Sequence, residues 1–114
     1  MIAVIFEVEP HEATRLRYFD IAADLRPELE RIDGFLSVER FESLATPGRY
    51  LSLSFWRDEV AVLQWRNQAS HRAAQREGRA EVFANYRLRV TQVIRDYGRM
   101  EREQAPEDSK QANG

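Results

Sequence analysis

Apolar residues in this chain recur with two different periods, and the order in which those periods follow one another leaves few folds open. From Ile2 to Glu9 the side chains alternate: Ile2, Val4, Phe6 and Val8 set against Ala3, Ile5, Glu7 and Glu9. That is a strand with one apolar and one mixed face. Pro10 ends it. From His11 to about Ile32 the spacing turns helical through Leu16, Phe19, Ala23, Leu25, Leu29 and Ile32. Pro27 removes one backbone donor, so a kink or short break is expected just before it. Asp33-Gly34 closes the helix. Two further alternating runs, 35–42 and 49–56, meet across Pro47-Gly48, a pair suited to a tight turn.

In the second of these runs Leu51, Leu53 and Phe55 point one way and Tyr50, Ser52, Ser54 and Trp56 the other. The first set reads as core beneath helices. Asp58 can cap a helix through Val60, Ala61 and Leu63 to Trp65, and Ser70 can cap a second one carrying His71, Ala74 and Gln75 toward Gly78. Residues 83–97 alternate on even positions through Tyr86, Leu88 and Val90, then slip to Val93 with Ile94 beside it. A slip of one residue predicts a β-bulge near 91–92. Residues 1–98 thus read as one domain, and 99–114, without apolar periodicity, as a polar and flexible C-terminal tail.

The order β-α-β-β-α-β predicts an α+β chain on the ferredoxin-like plan, a four-stranded antiparallel sheet with both helices on one face. Val4, Phe6, Leu51, Leu53 and Phe55 are then the covered side chains. Ile5, Tyr50, Trp56 and Phe41 remain on the other face, and large uncovered apolar side chains call for a partner. A second copy of the chain, packed sheet to sheet, is the economical one. Trp56 is placed at that interface.

Charge narrows the function. Residues 1–99 carry fifteen Arg against fifteen Asp and Glu, so the net charge of −2 belongs to the last fifteen residues. A neutral body has no footprint for nucleic acid. The longest apolar run, Ile2 to Phe6, is too short to span a bilayer, and the N-terminal residues do not read as a secretory signal. Zero cysteines exclude disulfides and thiolate chemistry. A cytoplasmic location is the expectation. No GxGxxG, P-loop, HExxH or two-histidine ligand spacing occurs, which leaves nicotinamide, flavin and metal sites without support.

The order of elements, together with IDGFLSVERFES, LSLSFWRDEVAVLQW and HRAAQREGR, resembles the antibiotic biosynthesis monooxygenase (ABM) superfamily, the dimeric α+β barrel proteins, over residues 2–97. The resemblance implies a homodimer with a cavity between sheet and helices in each protomer. It also implies cofactor-independent oxygenation of a small aromatic substrate, a quinol or an anthrone. A second branch of the superfamily degrades haem, with an Asn on the first strand, a Trp on the helix after the third, and a ligating His about ten positions later. Trp65 matches that pattern, but the strand position falls near Glu7 and Gln75 stands where the ligand would be, with His71 one turn early. Haem is therefore the alternative to no cofactor, and a non-catalytic small-molecule-binding dimer is the third reading.

His71 is the candidate catalytic residue, since imidazole is the usual acid-base group near neutral pH. Trp65, on the apolar stripe with Leu63, and Tyr86 are the candidate substrate-binding residues. Trp65 reads equally as core, and a Tyr86 or Tyr50 hydroxyl as a satisfied packing group. Arg72, Arg76 and Arg79 fall on one helical face and read as a solvated stripe with Glu77 and Glu81 as partners.

Overall fold

A computed structural model describes residues 1–114, the side chains of residues 69, 70 and 80 excepted. The strands β1 (Ile2–Pro10), β2 (Phe35–Glu42), β3 (Tyr50–Trp56) and β4 (Phe83–Gln92) form one sheet in the order β2-β3-β1-β4, antiparallel throughout. Helix α1 (Arg15–Glu30) follows β1, and α2 (Glu59–Arg66) and α3 (Ala69–Glu77) connect β3 to β4. This is the expected α+β, ferredoxin-like plan, with its second helix broken in two.

Register decides which face each strand buries, because directly opposed residues in an antiparallel ladder project to the same side. Val4 stands opposite Ser54, Phe6 opposite Ser52, and Ile2 opposite Trp56. Tyr50, Ser52, Ser54 and Trp56 therefore face the helices, and the parity expected for β3 is reversed. Trp56 is 1% exposed, packed with Ile2, Leu29, Ile32, Ala61 and Val62. Its indole Nε1–H donates to Ser54 Oγ at 2.9 Å, so the buried polar edge is satisfied. Tyr50 joins Val8, Tyr18 and Val82 in a second buried cluster. Neither is an interface residue. Leu51, Leu53 and Phe55 instead share the open face with Ile5 and Phe41.

Helix α1 runs through Pro27 without a break. The N–H that proline lacks would have bonded the carbonyl of Ala23; both residues are exposed, where water can take that carbonyl. Its inward residues are Tyr18, Ala22 and Leu29, with Ile21 and Leu25 half-buried, while Leu16 is 70% exposed. The expected stripe was one position out of phase over the first two turns. Gly34, after the helix, has φ +93°, and a Cβ there would meet Ala61 Cβ at 2.9 Å. Only glycine meets both conditions.

Asp58 caps α2 as expected, its Oδ1 accepting the Ala61 N–H at 3.0 Å. Ala61 and Val62 turn inward, whereas Leu63, expected beside them, is 46% exposed. Gln68, and not Ser70, occupies the N-cap position of α3, which begins at Ala69. A π-helical turn, Gly78–Val82, leads from α3 into β4, and Val82 O accepts from His11 N at 2.9 Å and Thr14 Oγ1 at 2.8 Å. Register shifts occur here, at the start of β4 opposite Glu9 and Pro10, and at the start of β2 between Phe35 and Ser37, and not near 91–92. Gln92 pairs in register with Ile2, and the ladder simply ends there. A short helix α4 (Glu107–Asn113) follows, with Arg102 donating to Gly98 O and Gly114 O at 3.1 and 2.7 Å.

Candidate active site

Between the sheet and helices α1 to α3 lies a cavity of about 610 Å³, within the range of small-molecule sites. The sequence of β3 explains where it opens. Trp56 and Tyr50 fill the two ends of the helix-facing row, and the small side chains of Ser52 and Ser54 leave the middle unfilled. Val4, Phe6, Leu88 and Val90 complete an apolar floor, and Ile21 and Leu25 of α1 form part of the roof.

The three side chains singled out from the sequence, His71, Trp65 and Tyr86, all line this cavity. The His71 ring stacks on Trp65, centroids 4.5 Å apart and planes 15° from parallel. Its Nδ1 lies 3.0 Å from the carbonyl oxygen of Trp65. A carbonyl can only accept, so Nδ1 carries the proton and Nε2 keeps a free lone pair. The carbonyl belongs to the last turn of α2 and also accepts from Gln68 N at 3.2 Å. Burial pushes the imidazole pKa below its ordinary 6.5, and the Arg72 charge acts the same way against the raising effect of the Trp65 bond. His71 is thus a neutral base at pH 7.

Trp65 is half-buried, packed against the Trp56 cluster on one side and His71 on the other. Tyr86 sits at the open edge with its ring 5.9 Å from Phe6 and 6.0 Å from Phe83. A Cβ at Gly78 would lie 2.4 Å from the Phe83 ring, so glycine is what lets that aromatic group close on the π-turn.

Other wall residues had no signal strong enough to single them out. Tyr18 Oη and Arg40 Nε are buried side-chain atoms without a hydrogen-bond partner among the described residues, and both residues line the cavity. The in-facing parity of Val38 and Arg40 could have flagged an arginine beneath the helices, had the register of β2 been known. Arg72, Arg76 and Arg79 are exposed, as expected of a solvated stripe, but they also form part of the cavity wall. Glu77, expected to pair with them, is held instead by Arg17, whose Nη2 donates at 2.7 Å.

Among the described residues no three His, Asp or Glu side chains gather as a metal site, and no helix is long and apolar enough to cross a membrane. A largely apolar chamber lies between a ferredoxin-like sheet and its helices, with an imidazole in its wall, and its size would suit a small molecule. The family model described as antibiotic biosynthesis monooxygenase matches residues 1–77, and the chain belongs to that family. It is 52% identical over 93 residues to the jasmonate monooxygenase ABM of Pyricularia oryzae, covering 82% of this chain and 43% of that protein. The chain spans about half the length of the curated relatives it matches. Its fold is similar to that of Rv0793 from Mycobacterium tuberculosis, with a TM-score of 0.76 at 15% identity over 85% of this chain and 98% of that one. It is also similar to a variant of SnoaB, a cofactor-independent oxygenase from Streptomyces nogalater, with a TM-score of 0.72 at 14% identity over 83% and 94% of the two chains.

Proposed function

We propose that the chain is a cofactor-independent monooxygenase of small aromatic substrates, quinols or anthrones, working as a cytoplasmic homodimer with His71 as its base and with Trp65 and Tyr86 against the substrate. The observation that carries this reading is the 3.0 Å approach of His71 Nδ1 to the Trp65 carbonyl oxygen inside the cavity. With Nδ1–H committed to the Trp65 carbonyl, Nε2 is left as the basic nitrogen of an imidazole in the cavity wall. Family membership supports the reaction type.

For an anthrone-like CH₂, Nε2 takes one proton and leaves a carbanion. The carbanion passes one electron to O₂, and the substrate radical and superoxide join as a peroxide. The peroxide takes back the proton from the imidazolium, then loses water as the second C–H bond breaks, leaving C=O. One CH₂ and one O₂ give one C=O and one H₂O. The chamber contributes orientation and the exclusion of water.

The open sheet face supports the homodimer: Ile5, Leu51, Leu53, Phe55 and Phe41 share a face opposite the helices. The residues at the haem-branch positions do not fit haem. Gln75 lines the cavity and offers an amide in place of an imidazole, and Glu7 lies on the other face of the sheet, paired with Arg49 and Arg89.

Oxygen uptake by metal-stripped protein, on a panel of anthrones and quinols with jasmonate beside them, tests the reading. Uptake above autoxidation that falls in His71→Ala supports enzyme and base together. Uptake unchanged in the variant keeps the enzyme and removes His71. No uptake on the whole panel, with binding retained, favours the non-catalytic binder.

A further inference from the structure

Four arginines away from the cavity hold acids in ion pairs. Arg17 holds Glu77, Arg49 and Arg89 share Glu7, and Arg57 spans Asp33 and Asp58. The cavity is different. Arg26, Arg40, Arg66, Arg72, Arg76 and Arg79 contribute to its wall, and not one Asp or Glu does. Arg26 is matched by Glu30 one turn along α1. Arg72 donates to the uncharged Asn67 Oδ1 and Gln75 Oε1. Arg40, Arg66, Arg76 and Arg79 have no carboxylate partner among the described residues. No acid in the wall offsets these six side chains, and of the six only Arg26 has an ion pair among the described residues.

Arg40 differs from the others in kind. The rim arginines stand on the three helices and the turn after α3 with their side chains exposed, whereas Arg40 projects from β2 beneath the helices, half-buried, with Nε shut off from solvent and unpartnered. A guanidinium N–H in that position lacks an acceptor, a cost that an anion would remove where Arg40 turns to meet it in the cavity. Beside it in the strand register is Ser52, then Phe6, then Leu88, so one row of the floor passes from charge to hydrocarbon.

We propose that the cavity selects amphipathic carboxylates: Arg40 binds the carboxylate head as a planar, charge-assisted pair, and Phe6, Leu88 and Val90 hold the apolar body. The inference rests on the reading of this cavity as the substrate site and adds the chemical class of what enters. A carboxylate fits better than a phosphate monoester because one interior guanidinium neutralises one charge. The outer arginines contribute a field that draws the anion in, and salt weakens that contribution.

Calorimetric binding of 1-naphthylacetate, its methyl ester and 1-naphthyl phosphate, in deoxygenated buffer, tests this without any turnover. The wild-type protein should bind the acid about tenfold or more tighter than the ester, the scale expected for a charged hydrogen-bonding pair. Arg40→Met should abolish that preference and leave ester binding unchanged, while Arg76→Met weakens the acid by no more than about threefold and only at low salt. Should Arg40→Met melt early, Arg40→Gln gives the same readout with the polar stem kept. An ester bound as tightly as the acid, a phosphate bound best, an acid preference that survives Arg40→Met, or a folded wild-type protein that binds neither probe would each overturn the proposal. A protein that prefers the acid yet consumes no oxygen loses the monooxygenase reading and keeps this one.

Discussion

The His71 ring stacks on Trp65 at 4.5 Å and bonds, through Nδ1, to the carbonyl of that same residue at 3.0 Å. One residue thus fixes both the plane of the imidazole and its tautomer. The turn at Asn67 and Gln68 brings the two together, by ending α2 and starting α3 before the chain has left the cavity wall. A single unbroken helix would place positions 65 and 71 on different faces, since six residues are not a whole number of turns.

The pH profile should report this arrangement. Burial holds the His71 pKa below 6.5, so the neutral base predominates at pH 7 and turnover should reach its plateau by about pH 7.5. The acid limb should fall below that value, and His71→Gln should lose the limb along with about 10²- to 10⁴-fold in kcat. Stability follows the same group. Because the unfolded chain takes up this proton before the folded one, folding weakens as pH drops from 6.5 through the lower folded value and is unaffected above it. A His71→Gln protein whose urea midpoint falls as steeply as the wild type between pH 6.5 and 5 would remove His71 as the cause.

The alternating periods made the order of elements legible, and the Asp58 cap and the cavity-lining trio could be read as well. What could not be read was relative parity. Both rows of β3 make sense on either face: Leu51, Leu53 and Phe55 look like core, and Tyr50, Ser52, Ser54 and Trp56 look like a surface. The pairing of Val4 with Ser54 settles it, and pairing is a long-range fact. The serines are under the helices because a cavity needs small side chains there. The same blindness hid Arg40, whose direction depends on the register of β2 against β3. Helix α1 misled for another reason: apolar Leu16 lies on its outer side, and Phe19 reaches the core only at its edge, its ring 5.1 Å from Tyr50.

Trp56 can now be assigned to stability. It is buried at 1% exposure and its indole N–H is satisfied internally, so Trp56→Ala should cost about 3–5 kcal/mol from lost burial and the cavity left behind. Urea unfolding at fixed protein concentration measures it. A loss under 1 kcal/mol would mean that the indole is not part of the folded core.

Gly34→Ala should also destabilise, through two independent strains. The backbone there is left-handed at φ +93°, and the new methyl would sit 2.9 Å from Ala61 Cβ, at the start of α2. A loss of about 2 kcal/mol or more is expected, against the few tenths typical of a surface change. Gly48→Ala, at φ +86° but with nothing within 4 Å, separates the terms: it should cost only the conformational part. Equal losses at the two sites would show that the contact with Ala61 relaxes freely.

The outer sheet face offers the last test. Leu53 stands opposite Ile5 on β1 and Glu39 on β2, near the middle of the row that no helix packs on among the described residues. Leu53→Asp adds a charge where the proposed second sheet would lie and leaves the helix-facing clusters around Trp56 and Tyr50 untouched. Burying an unpaired carboxylate at the centre of an interface should weaken self-association by about 100-fold, converting dimer to monomer at micromolar protein. The melting temperature should then become independent of concentration, because a monomer gains nothing from mass action. Sedimentation equilibrium of wild type and variant decides the matter. A variant that remains a dimer with the wild-type dissociation constant would place the contact elsewhere, at the exposed edge of β4 or on the C-terminal residues beyond it.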